Sequence, residues 1–172
     1  MSLVYGVLLL LVIATVFDLF QHRIPNMLLL SGLAVALVLQ YQTAQLAGLG
    51  QAMVGLLAGF LCFLPAYLFR KVMGAGDVKL LAVVGAFIGP AAVAFSAVYT
   101  VIAGGVLALI YLTLRGGAWR TIQRYYAVAR SMVWLPAAED DVVRQRFPYA
   151  LAIAVGTCIQ LARQGDLTGL VG

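Results

Sequence analysis

The chain has 172 residues and a net charge of +5; 64% of its residues are hydrophobic and only 10% are charged. A soluble domain carries about 25% charged residues, so this composition excludes an ordinary water-soluble globular domain and points to lipid as the solvent. Cys62 and Cys158 both lie in apolar runs, there is no CxxC, and a single His is present, which argues against a disulfide scaffold or a zinc site. The positive excess is that of a membrane protein with basic inner loops, so no nucleic-acid partner is needed to explain it.

The N-terminal run MSLVYGVLLLLVIATVF lacks a basic leader region and a small-residue cleavage site, and it reads as a retained first span over 3–20. A crossing helix needs about 20 apolar residues, fewer inside a bundle. Further spans are expected at 27–41, 52–69, 78–89, 91–114 and 147–163. The apolar stretch 78–114 is either one long kinked helix or two spans broken at Gly89-Pro90.

Charge decides between these. Ten of the eleven Lys and Arg residues fall in three groups: Arg23; Arg70, Lys71 and Lys79; and Arg115, Arg120, Arg124, Arg130, Arg144 and Arg146. Six spans put all three groups on one side, the cytoplasmic side by the positive-inside bias, whereas five would turn the richest group outward. The expectation is an all-α polytopic bundle of six transmembrane helices, one domain over 1–172, with both termini on the outer (periplasmic) side. Segment 115–146 mixes Arg with Trp and Tyr before the acidic run Glu139, Asp140 and Asp141. It reads as a cytoplasmic connector, either amphipathic along the inner leaflet or simply solvated.

With those three and Asp166 in the tail set aside, two of the six acidic residues remain, Asp18 and Asp77, each at the end of an apolar run. An ionised carboxylate in the bilayer costs about 2.5–3.5 kcal/mol and usually serves a function there. Two crossings separate them, so both return to the cytoplasmic face. Two adjacent carboxylates tend to share one proton. Such a pair can activate water: the ionised member takes a proton as water attacks a carbonyl, and the protonated member hydrogen-bonds the oxyanion. Gly74 and Gly76, just before Asp77, give an extended peptide room and free the backbone. Lys79 has three readings: it binds a substrate carboxylate, tunes the pair, or snorkels to headgroups. The structural alternatives are that Asp77 is a helix N-cap and that Asp18 is neutralised by Arg23 or His22. Pro25 and Asn26 form a rigid turn that fixes the depth of Asp18.

GAGDVK (74–79) resembles the Gly-x-Gly-Asp signature of intramembrane aspartyl proteases, with the trailing Lys of type IV prepilin peptidases. FDLFQHRIPN (17–26) and FPYALAIAVG (147–156) are similar to the first and last elements of the same family, in the same order. The resemblance implies an endopeptidase of the bacterial inner membrane that removes the leader of type IV (Flp-type) prepilins or pseudopilins after a glycine at the cytoplasmic face. It implies Asp18 and Asp77 as the catalytic pair, no cofactor or metal, and a substrate held partly through its own apolar helix. Gly74, Gly76, Lys79, Arg23, Pro25, Asn26, Pro148 and Tyr149 are the expected site-shaping or substrate-binding residues. Only 21–26 separates the first two spans, without the paired-cysteine insertion of larger members, so no methyltransferase activity is expected. The rivals are a small proton-coupled transporter, whose carboxylates would sit at the midplane of two related halves, and a non-catalytic membrane subunit of a secretion system. Archaeal-type preflagellin peptidases and presenilin-like proteases share the Gly-x-Gly-Asp chemistry; the Ile-Pro-Asn turn and small size favour the prepilin branch over presenilin.

Overall fold

A computed structural model of the chain describes residues 2–21, 23–70, 74–114 and 149–165. The expected connector 115–146, His22 and Pro148 lie outside the described residues. Those described form five helices and no strand: α1 (Ser2–Gln21), α2 (Asn26–Arg70), α3 (Ala75–Ile88), α4 (Pro90–Leu114) and α5 (Tyr149–Arg163). Three stretches are long and apolar enough to cross a membrane: α1, Asn26–Leu68 within α2, and Pro90–Ile110 within α4.

At 1.5 Å per residue a straight α2 would run about 68 Å, over twice the roughly 30 Å of a bilayer core. It is not straight. Ala44 (φ −140°, ψ 20°) and Gln45 (φ 52°, ψ −132°) leave helical geometry and divide it into segments 26–43 and 46–70. The expected 42–51 connection is therefore two residues long. The chain between is Gln, Ala, Leu and Gly with no proline, good helix formers apart from the glycines. Its lower hydropathy marks a position near an interface, not a loss of helix. At the other expected turn, Gly89 adopts φ 82° and its N–H closes α3 on the Gly85 carbonyl at 2.8 Å. Proline then opens α4, where a missing N–H costs nothing.

The core is centred on α3, whose residues from Val78 to Phe87 are buried apart from Lys79. Two glycines one helical turn apart, Gly55 and Gly59, let α2 lie directly on its backbone. A Cβ at Gly55 would collide with the Gly85 carbonyl, and one at Gly59 with that of Leu81. This small-xxx-small contact lets dispersion and close packing act where no hydrophobic driving force exists between helices. On the far side α4 packs antiparallel to α5. The Ser96 and Thr157 hydroxyls meet at 2.9 Å, and Gly156 lies against Thr100. Two runs of the sequence are rich in small residues, VGLLAGF (54–60) and IAGGVLAL (102–109), and the first thus faces a neighbouring helix. In 102–109, Gly104 faces α5, and Gly105 has open space around it.

Candidate active site

Helix direction alternates along the chain, so the end of α1 and the beginnings of α3 and α5 meet at one end of the bundle. Asp18 is 7% exposed and Asp77 is 9% exposed. Asp18 lies about 25 Å along α1, nearly a full bilayer core from its first residue.

Asp77 is the third residue of α3, whose N-cap is Gly74. Its carboxylate reaches back and accepts the Gly74 N–H at 3.1 Å, the acidic half of a capping box. Asp77 therefore caps its helix from inside and is not itself the N-cap. Asp18 accepts the Ala150 N–H, in the first turn of α5, at 3.0 Å. Each carboxylate thus sits at a helix N-terminus, where a free amide and the macrodipole favour negative charge. The two lie within electrostatic reach of one another, and Tyr149 is within reach of Asp77. Among the described residues neither aspartate forms an ion pair, and the exposed Arg23 does not neutralise Asp18.

The other expected residues divide into two groups. Gly74 and Tyr149 join the aspartates. The half-buried Tyr149 ring meets Phe63 edge-to-face at 6.5 Å and rests on Gly104, where a Cβ would stand 2.9 Å from its hydroxyl oxygen. Lys79 and Asn26 do not join them. Two residues along a helix is about 200° of rotation, so Lys79 is exposed on the opposite side from Asp77, and its Nζ donates to Asn26 Oδ1 at 3.2 Å. Pro25 starts α2, its carbonyl accepting the Leu28 N–H at 3.1 Å. Gly74 has φ −71° and ψ 148°, extended backbone open to any residue, and Gly76 has no positive φ. The expected backbone freedom is thus not used. Space is tight only at Gly74, where a Cβ would come within 3.2 Å of Asp77 Oδ2, while at Gly76 it would rest at 3.6 Å from Ile24.

Sequence reasoning missed the Ala150 amide. A backbone donor has no residue signature; the one available signal was a helix start at Pro148-Tyr149, which implies unpaired N–H groups there. It also missed Phe63, which reads as one more apolar residue of its span.

No curated protein and no solved structure matches the chain. The sequence model of the type IV leader peptidase family matches residues 5–111, well over half of it, taking in both aspartates and the turn between α1 and α2. With its membrane-length helices and its two buried carboxylates at one end, the chain belongs to the type IV leader peptidase family.

Proposed function

We propose that the chain is an aspartic-type endopeptidase of the bacterial inner membrane. It removes the leader of type IV prepilins or pseudopilins, of the Flp type, at the cytoplasmic face and without methyltransferase activity. The observation that carries this reading is the pair Asp18 and Asp77: buried, mutually interacting, each accepting a backbone amide and, among the described residues, neither paired with a cation.

Magnitudes support a shared proton. Each buried carboxylate charge costs about 2.5–3.5 kcal/mol. A hydrogen bond to a charged group returns about 1.5–3 kcal/mol, and a helix N-terminus up to about 2 kcal/mol in partly buried sites. Each charge is offset at its own helix end but the repulsion between two adjacent charges is not, and on this reading the pair shares one proton. The ionised member takes a proton from water as its oxygen attacks the scissile carbonyl. The protonated member donates a hydrogen bond to the oxyanion. Collapse expels the amine, which leaves with a proton from the pair, and the one-proton state returns. No covalent intermediate is needed. Gly74 and Tyr149 border the pair and shape the space a leader peptide would occupy.

The break in α2 supports six crossings with both termini outside, since it turns one 45-residue helix into two spans. The α3 helix, about 21 Å long, is shorter than the bilayer core, which suits a carboxylate held below the inner surface and not in bulk water.

The test is co-expression with an Flp-type prepilin, with cleavage followed as a size shift. The intact enzyme cuts after the leader glycine. Asp18→Asn and Asp77→Asn each abolish the cut while accumulating in the membrane. Normal cutting by either variant removes that residue from the mechanism and favours a structural or proton-relay role.

A further inference from the structure

An open groove of about 300 Å³ runs down the surface between α2 and α3, on the side of α3 away from the site described above. Its walls are Leu30 and Leu33 from the first segment of α2, Leu56 and Phe60 from the second, and Val83 from α3. Leu30 and Phe60 stay exposed along its edge. Among the described residues the polar side chains lining it are Asn26 and Lys79, joined at its upper rim. Leu33 lies seven residues beyond Asn26, about 10 Å deeper. The groove is thus polar at one end and apolar along its length, parallel to the helices.

The charge at the rim is uncompensated. Among the described residues Lys79 makes no ion pair, and its partner is the neutral Asn26 amide. An occupant complementary to this groove carries a negative group at the level of Lys79 and a slender apolar body below it. The groove is open to one side, and its length is walled by the aliphatic and aromatic side chains of Leu33, Leu56 and Phe60. A single acyl chain fits.

We infer that the groove binds one anionic phospholipid, its phosphate on Lys79 and the Asn26 amide and one acyl chain between Leu33, Leu56 and Phe60. The bound lipid ties α3 to both segments of α2 from outside, on the side of α3 opposite Asp77. This assignment does not depend on the peptidase reading.

The test uses the full chain in vesicles of phosphatidylglycerol and phosphatidylcholine in equal amounts, with bromine on the acyl chains of one lipid or the other. Trp119 and Trp134 are replaced by Phe. A reporter is placed in the groove by Leu30→Trp, or on the lipid-facing side of α4 by Val101→Trp; both positions are exposed. One lysine at an anionic surface is worth about fivefold in preference. Brominated phosphatidylglycerol should therefore quench the groove reporter with about that preference over brominated phosphatidylcholine, and the α4 reporter with none. Lys79→Gln should remove the preference and Lys79→Arg keep it. Equal quenching by both lipids at Leu30→Trp, or a preference that survives Lys79→Gln, overturns the assignment. So does relief of the quenching by a stoichiometric prepilin-type apolar helix, which would give the groove to the substrate.

Discussion

Gln40 holds the outer end of α3, and its removal should be felt in stability. Its side chain is 6% exposed and its amide donates to the carbonyls of Ala86 and Phe87 at 3.3 and 3.0 Å. The sequence explains why those carbonyls are vacant. The helical partner of Ala86 would be residue 90, a proline with no N–H, and that of Phe87 would be Ala91, beyond the turn at Gly89. Gln40→Met keeps length and volume but deletes the donor. Leaving a buried carbonyl unpaired costs about 1–3 kcal/mol, whereas hydrogen bonds between membrane helices average near 0.6 kcal/mol because the unfolded reference finds other partners. Here two carbonyls depend on one amide and neither has a helical alternative. We therefore expect a loss of about 2 kcal/mol, read as a shift in the unfolding midpoint of detergent-solubilised protein at constant slope. A loss below about 0.5 kcal/mol, within the range of ordinary surface changes, would refute the reasoning and mean that water or lipid headgroups already satisfy this end of α3.

Other substitutions probe other parts of the bundle. Gly55→Val pushes a side chain into the Gly85 carbonyl, at an overpacking cost of about 1–3 kcal/mol or more, and should lower accumulation in the membrane; Gly105→Ala, in open space, should be neutral or slightly stabilising. Gln45→Gly relieves a positive φ that non-glycine residues rarely adopt and should raise the unfolding midpoint by an amount equivalent to about 1 kcal/mol. Ser96→Ala and Thr157→Val each strand one hydroxyl, so the double variant should lose less than the sum of the singles, with coupling near 1 kcal/mol in a double-mutant cycle. Gly104→Ala displaces the Tyr149 hydroxyl by a few tenths of an ångström; prepilin cleavage should fall, by up to about 100-fold for a displacement approaching 1 Å, while accumulation stays normal.

Much of this architecture is written in the chain as punctuation. Apolar runs, the Ile-Pro-Asn turn and Gly89-Pro90 fix where helices begin and end to within a few residues, because proline and glycine act locally. Counting crossings places Asp18 and Asp77 at one end without knowledge of packing. The 42–51 connection was illegible because polarity reports depth in the bilayer, whereas conformation follows propensity, and glutamine and alanine serve both interface and helix. The side on which Lys79 faces follows from helical rotation, but its pairing with Asn26 depends on α2 and α3 lying in contact. That contact depends in turn on Gly55 and Gly85 meeting backbone to backbone. The Ala150 amide depends on α5 docking against α1, across 132 residues of sequence, and no local pattern encodes it.

The brevity of α3 bears on how the protein is made. Fourteen residues fall well short of the roughly 20 that let a segment partition into lipid by itself, and almost all of its side chains face other helices, not lipid. Such a segment enters the bilayer as the first arm of a hairpin, drawn in by the longer, membrane-length α4 across the Gly89 turn. Asp77 travels inward with it, and Asp18 receives its amide from α5, the last of the described helices. A nascent chain that has released only α1 to α4 therefore carries both aspartates but lacks the amide that Asp18 accepts. Docking of α5 is thus the step that completes the surroundings of Asp18.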